Sequence, residues 1–285
     1  MRIDQLLARG STRSFEFFPP RSAAEAATLA ATISDLVELA PSFVSVTNRG
    51  GPAARERTFE LVTQIQRAGR LTTMAHLIAR GQRRSDLVDL LARYRAAGVD
   101  NVLALGGDAP AGPPEAPGDF AHADDLVRLV REVGGFAIGV AAHPAGHPAA
   151  LDLAADRDRL AAKLAAADFA ITQFFFAADE WSGLVADLAA RGVTRPVLPG
   201  VMPVTSLSSI ARMAQMGAPV PADLVARLRA ADERGGAPAV RAAGVEAATA
   251  LSAELLARGA PGLHFYTLNR SLATREIHQA LRSGS

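Results

Sequence analysis

Ser14-Phe15-Glu16-Phe17-Phe18-Pro19-Pro20 is an apolar run with one carboxylate near its centre and two prolines at its end. Aromatic residues favour extended backbone, and the prolines stop a strand there. The run predicts a short strand in which successive side chains point to opposite faces. Phe15 and Phe17 point one way; Glu16 and Phe18 point the other. A carboxylate so placed is buried at a cost that raises its pKa, aimed into a working cavity, or left at the strand end in solvent.

Runs of the same kind recur at 43–47, 72–78, 101–105, 136–142, 169–176, 197–202 and 263–268. Helical patterns with apolar residues three and four apart lie between them, for example Leu87, Val88, Leu90 and Leu91 with Tyr94, or Leu126, Leu129, Val130 and Val133. Gly98, Gly134 and Gly192 follow three of these as C-terminal caps. Eight strand candidates alternating with helices over 285 residues predict an α/β fold, a (β/α)8 TIM barrel, with 1–285 as one catalytic domain. A doubly wound sheet is the alternative, but its glycine-rich GxGxxG turn is missing. The rhythm breaks over 206–258, where helix-like segments around 210–216, 222–231 and 240–256 predict extra helices between the seventh and eighth strands. The proline- and glycine-rich stretch 109–118 follows a strand and so predicts a loop on the catalytic face.

Composition narrows the function. Apolar residues make up 49% and charged residues 21%, as in globular proteins. A net charge of +1 gives no reason to expect nucleic acid or an anionic membrane as partner. The chain has no cysteine, which excludes disulfides and thiolate metal sites and fits a cytoplasmic location. The N-terminus lacks the apolar segment of a signal peptide, and no run has the length of a membrane span. The chain is expected to end soon after the last barrel helix, with no regulatory domain.

Active sites of such barrels are built at strand C-terminal ends. Glu16, Thr47, His76, Asp108, His143, Gln173 and Arg270 fall there. Gln173, an amide among phenylalanines, needs polar partners. Two carboxylates and a carboxamide converging on one mouth suit a planar, nitrogen-rich heterocycle. His143 and His147 are separated by a proline-containing turn, so a helical metal pair is not expected and no metal is assigned. Gly-x-Ser-x-Gly and HExxH motifs are lacking, which weakens hydrolase readings. Asp156, Arg159 and Lys163 are spaced to share a helix face, as either a solvated face or an anion site for a phosphorylated cofactor. Lys163 is the only lysine among 30 lysines and arginines.

The segments 14–20, 44–47, 75–77, 101–108, 140–144 with His147-Pro148, 170–176, 199–203 and 261–270 together resemble, in order, those of short bacterial methylenetetrahydrofolate reductases. The resemblance implies a barrel that binds FAD and reduces 5,10-methylenetetrahydrofolate to 5-methyltetrahydrofolate with NADH or NADPH. It implies Glu16 as general acid, kept protonated by a wall of phenylalanines, with Asp108 beside flavin and pterin. Gln173 and Arg270 then match folate-binding positions. Thr47, His76, Gly107, Asp108, Ala123, His143, His147, Asp156, Arg159 and Lys163 fall to the cofactor. Homo-oligomers are expected, since barrels of this family commonly associate. Departures concentrate on the flavin: Gly106 replaces an arginine, and His122 and His143 replace tyrosines. Ser209 stands where some relatives have a glutamine. Such losses weaken FAD by on the order of a few kcal/mol. A flavin-free reductase with direct hydride transfer is therefore the alternative. An aldolase-like lyase and a non-catalytic pterin- or flavin-binding relative are the readings from other classes; the former wants a strand lysine, and Lys163 is on a helix.

Overall fold

The computed structural model describes residues 1–48, 50–107 and 118–283. Asp108 and almost all of the 109–118 loop lie outside the described residues. Eight strands close into a barrel in chain order, every pair parallel. They are β1 (Thr12–Phe17), β2 (Phe43–Val46), β3 (Thr73–Ile78), β4 (Asn101–Leu105), β5 (Ala137–Ala142), β6 (Phe169–Phe174), β7 (Val197–Val201) and β8 (Gly262–Tyr266). The helices are α1 (Ile3–Arg9), α2 (Ala23–Val37), α3 (Pro52–Arg67), α4 (Arg84–Ala96), α5 (Ala123–Val133), α6 (Leu153–Ala166), α7 (Ala178–Ala190), α8 (Ser209–Gln215), α9 (Ala222–Ala257) and α10 (Leu272–Ser283). The (β/α)8 expectation holds, as does the placing of extra helices, α8 and α9, between β7 and β8.

Strand alternation sorts the core into two layers. Phe15, Phe17, Val44, Val46, Ala75 and Leu77 face outward into the layer shared with the helices. Phe43, Met74, Leu103, Phe169, Ile171 and Leu198 face inward and fill the barrel. The sequence reading missed α1, whose Ile3 and Leu7 join this inner cluster. The Ile3 amide donates to Asn101 Oδ1 at 2.7 Å, tying the helix to the start of β4 and closing the barrel's N-terminal end. The floor is thus apolar, and polar chemistry is confined to the layer above it.

The long α9 is broken at Gly235 and Gly236, where φ and ψ leave the helical region (−158°, 16° and 62°, −155°). Pro238 follows, at the start of the continuing helix, where its missing N–H costs least. The sequence patterns on either side of this break are the two helices expected around 222–231 and 240–256. No helix among the described residues is long and apolar enough to cross a membrane.

Candidate active site

Above the apolar floor, the inward side chains of four strands form one polar cluster. Glu16 on β1 lies beside Ser45 on β2 and Tyr266 on β8 in the strand register. Ser45 Oγ donates to Glu16 Oε2 at 3.4 Å. His76 Nε2 on β3 stands 3.3 Å from the same oxygen, and His264 Nε2 on β8 stands 3.6 Å from it. Both nitrogens are buried within ion-pair distance, yet neither is aligned for a hydrogen bond among the described residues. Glu16 itself is 5% exposed and His264 is fully buried.

The expected phenylalanine wall around Glu16 is not there. Phe15 and Phe17 pack on the helix side, opposite Glu16 as strand alternation requires, and Phe15 meets Phe265 at 6.0 Å. The walls of Glu16 are imidazoles instead. Burial pushes its carboxyl up, but His264 and then His76 outweigh burial and hold it down at about 2. Glu16 is therefore ionised in the free chain.

This shift has a measurable consequence. The carboxyl falls from its ordinary 4.5 to about 2 on folding, so the folded state favours the ionised form. That contribution to stability is complete above the unfolded value and is lost as pH falls through the folded one. Chemical unfolding of wild type and Glu16→Gln should therefore converge as pH is lowered below about 4.5. A stability difference independent of pH over that window would contradict the ionised state.

The mouth is shaped from the same strands. A register irregularity between Ile171 and Phe174, opposite Leu198 and Gly200, inserts an extra residue into β6. Such bulges re-aim side chains, and this one leaves Gln173 half-buried at the strand end. Its Nε2 donates to the Met216 carbonyl at 3.3 Å, and its Oε1 accepts from the Phe174 amide at 3.0 Å. Tyr266 donates its hydroxyl to the Thr172 carbonyl at 2.6 Å, and burial, helped by the Glu16 charge, raises its pKa. Gly200 makes room for this ring: a Cβ there would lie 2.5 Å from Tyr266 Cε2 and 2.3 Å from the Thr172 carbonyl oxygen. Ser209, at the start of α8, donates to the Ser206 carbonyl at 2.7 Å.

Arg270 is exposed, on a turn fastened to the end of β1. Thr267 Oγ1 donates to the Glu16 carbonyl at 2.6 Å. Asn269 accepts from the Phe18 amide at 2.8 Å and donates to the Phe18 carbonyl at 2.9 Å. Ser14, Ser45, His264, Tyr266, Thr267 and Asn269 were not singled out from sequence. The usable signal was their alternation: His264 and Tyr266 share the parity that β1–β8 pairing gives Ser14 and Glu16.

The expected cofactor residues divide. Thr47 is buried, and its Oγ1 has no partner among the described residues. Gly107 has φ +87°, and a Cβ there would lie 2.5 Å from Ile78 Cγ2. Ala123 opens α5 next to its N-cap, His122. Gly106 brings β4 close to that helix end, its absent Cβ falling 4.0 Å from the Ala123 amide nitrogen. The rings of His143 and His147 meet edge to face at 4.7 Å. His76, by contrast, turns to Glu16. On α6, Asp156 is buried against Arg157 at 3.0 Å, whereas Arg159 is exposed. The shared face read from spacing thus holds Asp156 and Lys163 only. Burial lowers the Lys163 pKa, opposed by the charges of Asp124 and Asp156. An orphaned hydroxyl and a half-buried cation suit a polar, phosphate-bearing ligand such as FAD, whereas the close contact at Gly107 is with the chain's own Ile78.

A family model described as methylenetetrahydrofolate reductase matches residues 2–282. Methylenetetrahydrofolate reductase (NADH) 1 of Arabidopsis thaliana is 33% identical over 285 residues, 94% of this chain and 48% of the plant protein. A 5,10-methylenetetrahydrofolate reductase of Pectobacterium carotovorum subsp. carotovorum is 35% identical over 263 residues, 90% of this chain and 86% of the bacterial protein. The chain thus spans about half the length of the plant relative and most of the bacterial one. Among solved structures, an uncharacterized protein from Clostridium thermocellum that binds two copies of 5-methyl-5,6,7,8-tetrahydrofolic acid shares the fold, with a TM-score of 0.70 at 12% identity. That match covers 99% of this chain and 98% of the other. With a family model spanning nearly its whole length and a bacterial relative aligned over most of both chains, this chain belongs to the methylenetetrahydrofolate reductase family.

Proposed function

We propose that the chain reduces 5,10-methylenetetrahydrofolate to 5-methyltetrahydrofolate with NADH or NADPH, with Glu16 as the general acid. The observation that carries this reading is a buried carboxyl in the upper layer of the barrel, facing two imidazoles that can exchange a proton with it. Glu16 protonates the folate nitrogen that leaves the methylene bridge. The carbon–nitrogen bond then breaks with its electron pair going to that nitrogen, and hydride reduces the resulting iminium carbon. Gln173, Asp108 and Arg270 hold the folate; the amide of Gln173 pairs with the edge of the pterin. The pterin expels water above Glu16, and desolvation favours the neutral carboxyl as the substrate closes over it.

Thr47, Gly107, Ala123, His143, His147, Asp156 and Lys163 would hold FAD, which when bound supplies a hydride carrier between nicotinamide and folate. One observation favours the second reading, direct hydride transfer without flavin. The charges of Asp124 and Asp156 already act on Lys163 and offset the charge an anionic cofactor would use. An absorption spectrum of the purified protein, followed by an assay of methyltetrahydrofolate formation, separates the two. A yellow protein that loses colour on dilution supports the flavin reading. A colourless protein, active with nicotinamide and no added FAD, supports direct transfer. No product with FAD and either nicotinamide added would overturn both.

A further inference from the structure

We propose that Ser14 and His264 form a proton store beneath Glu16, refilling the acid through His264 Nε2. This rests on the reading of Glu16 as general acid and adds the source of its proton. Each turnover consumes one proton, yet Glu16 is ionised in the free chain. A group beside it must therefore hold the proton and release it when substrate arrives.

His264 has the geometry for this. Its Nδ1 lies 2.8 Å from Ser14 Oγ, and Ser14 Oγ donates to the Leu263 carbonyl at 3.3 Å. A hydroxyl has one hydrogen, so with that hydrogen on Leu263 the oxygen accepts from Nδ1. In that tautomer, taken as the resting one, Nδ1 carries a hydrogen in either charge state and Nε2 is the nitrogen that gains and loses a proton. That Nε2 has no hydrogen-bond partner among the described residues and stands 3.6 Å from Glu16 Oε2. A bare nitrogen facing a carboxylate in a fully buried site is unfavourable, so the pair draws one proton between them.

The ring is also held in place. Phe43 stacks on it at 6.2 Å with planes 17° apart, and Tyr266 meets it edge-on at 5.2 Å. Among the described residues, the titratable groups facing Glu16 are His76 from β3 and His264 and Tyr266 from β8; Ser45 on β2 and Ser14 on β1 are the hydroxyls. His76 is closer to the carboxylate at 3.3 Å, but among the described residues no hydroxyl holds its other nitrogen as Ser14 holds that of His264.

The step balances. The Nε2–H of the imidazolium passes its proton to Glu16 Oε2 as the folate excludes water. Glu16 then gives that proton to the leaving nitrogen. This leaves a carboxylate and a neutral imidazole, which together take one proton from solvent before the next turnover. His264 never touches folate, so it is a positioning and proton-holding residue acting through Glu16.

Nitrogen-15 NMR of histidine-labelled wild-type protein tests the tautomer directly. The expected result is a His264 Nδ1 that stays protonated across the titration while Nε2 changes state. A neutral ring with bare Nδ1 and protonated Nε2 would overturn the proposal. Kinetics supply the second readout: His264→Gln keeps a donor toward Glu16 but cannot titrate, and Ser14→Ala frees the tautomer. Both should lower kcat for folate reduction by about 10- to 100-fold, with KM little changed and the pH profile altered. If Glu16→Gln is inactive while both variants keep the wild-type kcat and pH profile, the proton store is wrong and the general acid stands. If Glu16→Gln reduces folate at the wild-type rate, the general-acid reading itself fails.

Discussion

Glu16→Gln is expected to lower the rate of folate reduction by about 10²- to 10⁴-fold, the range a general acid supplies. Any exchange of hydride between nicotinamide and flavin should survive largely intact, because opening the folate ring is the step that needs the proton. Glutamine keeps the length and the acceptor oxygen but has no acidic proton. It also removes the buried carboxylate beside His76 and His264, which stand 3.3 and 3.6 Å away, so folding must be checked by thermal unfolding. Rapid-mixing measurements of the two half-reactions provide the test. Equal loss in both would mean that Glu16 shapes the site without donating a proton.

The second large effect is expected at Arg157. This side chain is 2% exposed, and its guanidinium meets four oxygens. They are Asp156 Oδ2 at 3.0 Å, Asp187 Oδ2 at 3.1 Å, the His143 carbonyl at 2.9 Å and the Pro144 carbonyl at 2.5 Å. The two carbonyls belong to the loop carrying the paired rings of His143 and His147. Arg157→Ala leaves Asp156 buried and uncompensated and sets that loop free. Removing one partner of a buried pair costs about 3–5 kcal/mol; the more exposed Asp187 places this case near about 3. For a chain of this size that is a fall in Tm of about 6–12 °C, readable by calorimetry. Arg157→Lys should recover only part, because an ammonium cannot present the planar fork that spans two carboxylates and two carbonyls. A Tm change below about 2 °C in Arg157→Ala would show that the loop is held by other contacts.

The barrel was legible because its strands are buried on both faces and read as short apolar runs, each followed by a helix with a 3.6-residue period. The short α1 was not, since seven residues carry too few turns to show a period. Glu16 stood out as one carboxylate in an aromatic strand, but its surroundings were misread. Neighbours in sequence point to opposite faces, so Phe15 and Phe17 were the residues least able to line its pocket. The real lining, His76 and His264, comes from strands sixty and nearly two hundred and fifty residues away, and only barrel closure brings β8 against β1. Arg157 escaped notice because a charge on a helix normally faces solvent. Arg159, which sequence spacing favoured, is the one that does.

Proton uptake on substrate binding tests the account most directly. Calorimetric titration with 5,10-methylenetetrahydrofolate, without nicotinamide and in two buffers of different ionisation enthalpy, counts the protons bound. Near neutral pH the wild-type protein should take up almost no proton, because His264 supplies it from within the site, whereas His264→Gln should draw about one from solvent. Uptake of a whole proton by the wild type, or the same uptake in both proteins, would contradict a carboxyl that is ionised in the free site and protonated from His264 beneath the folate.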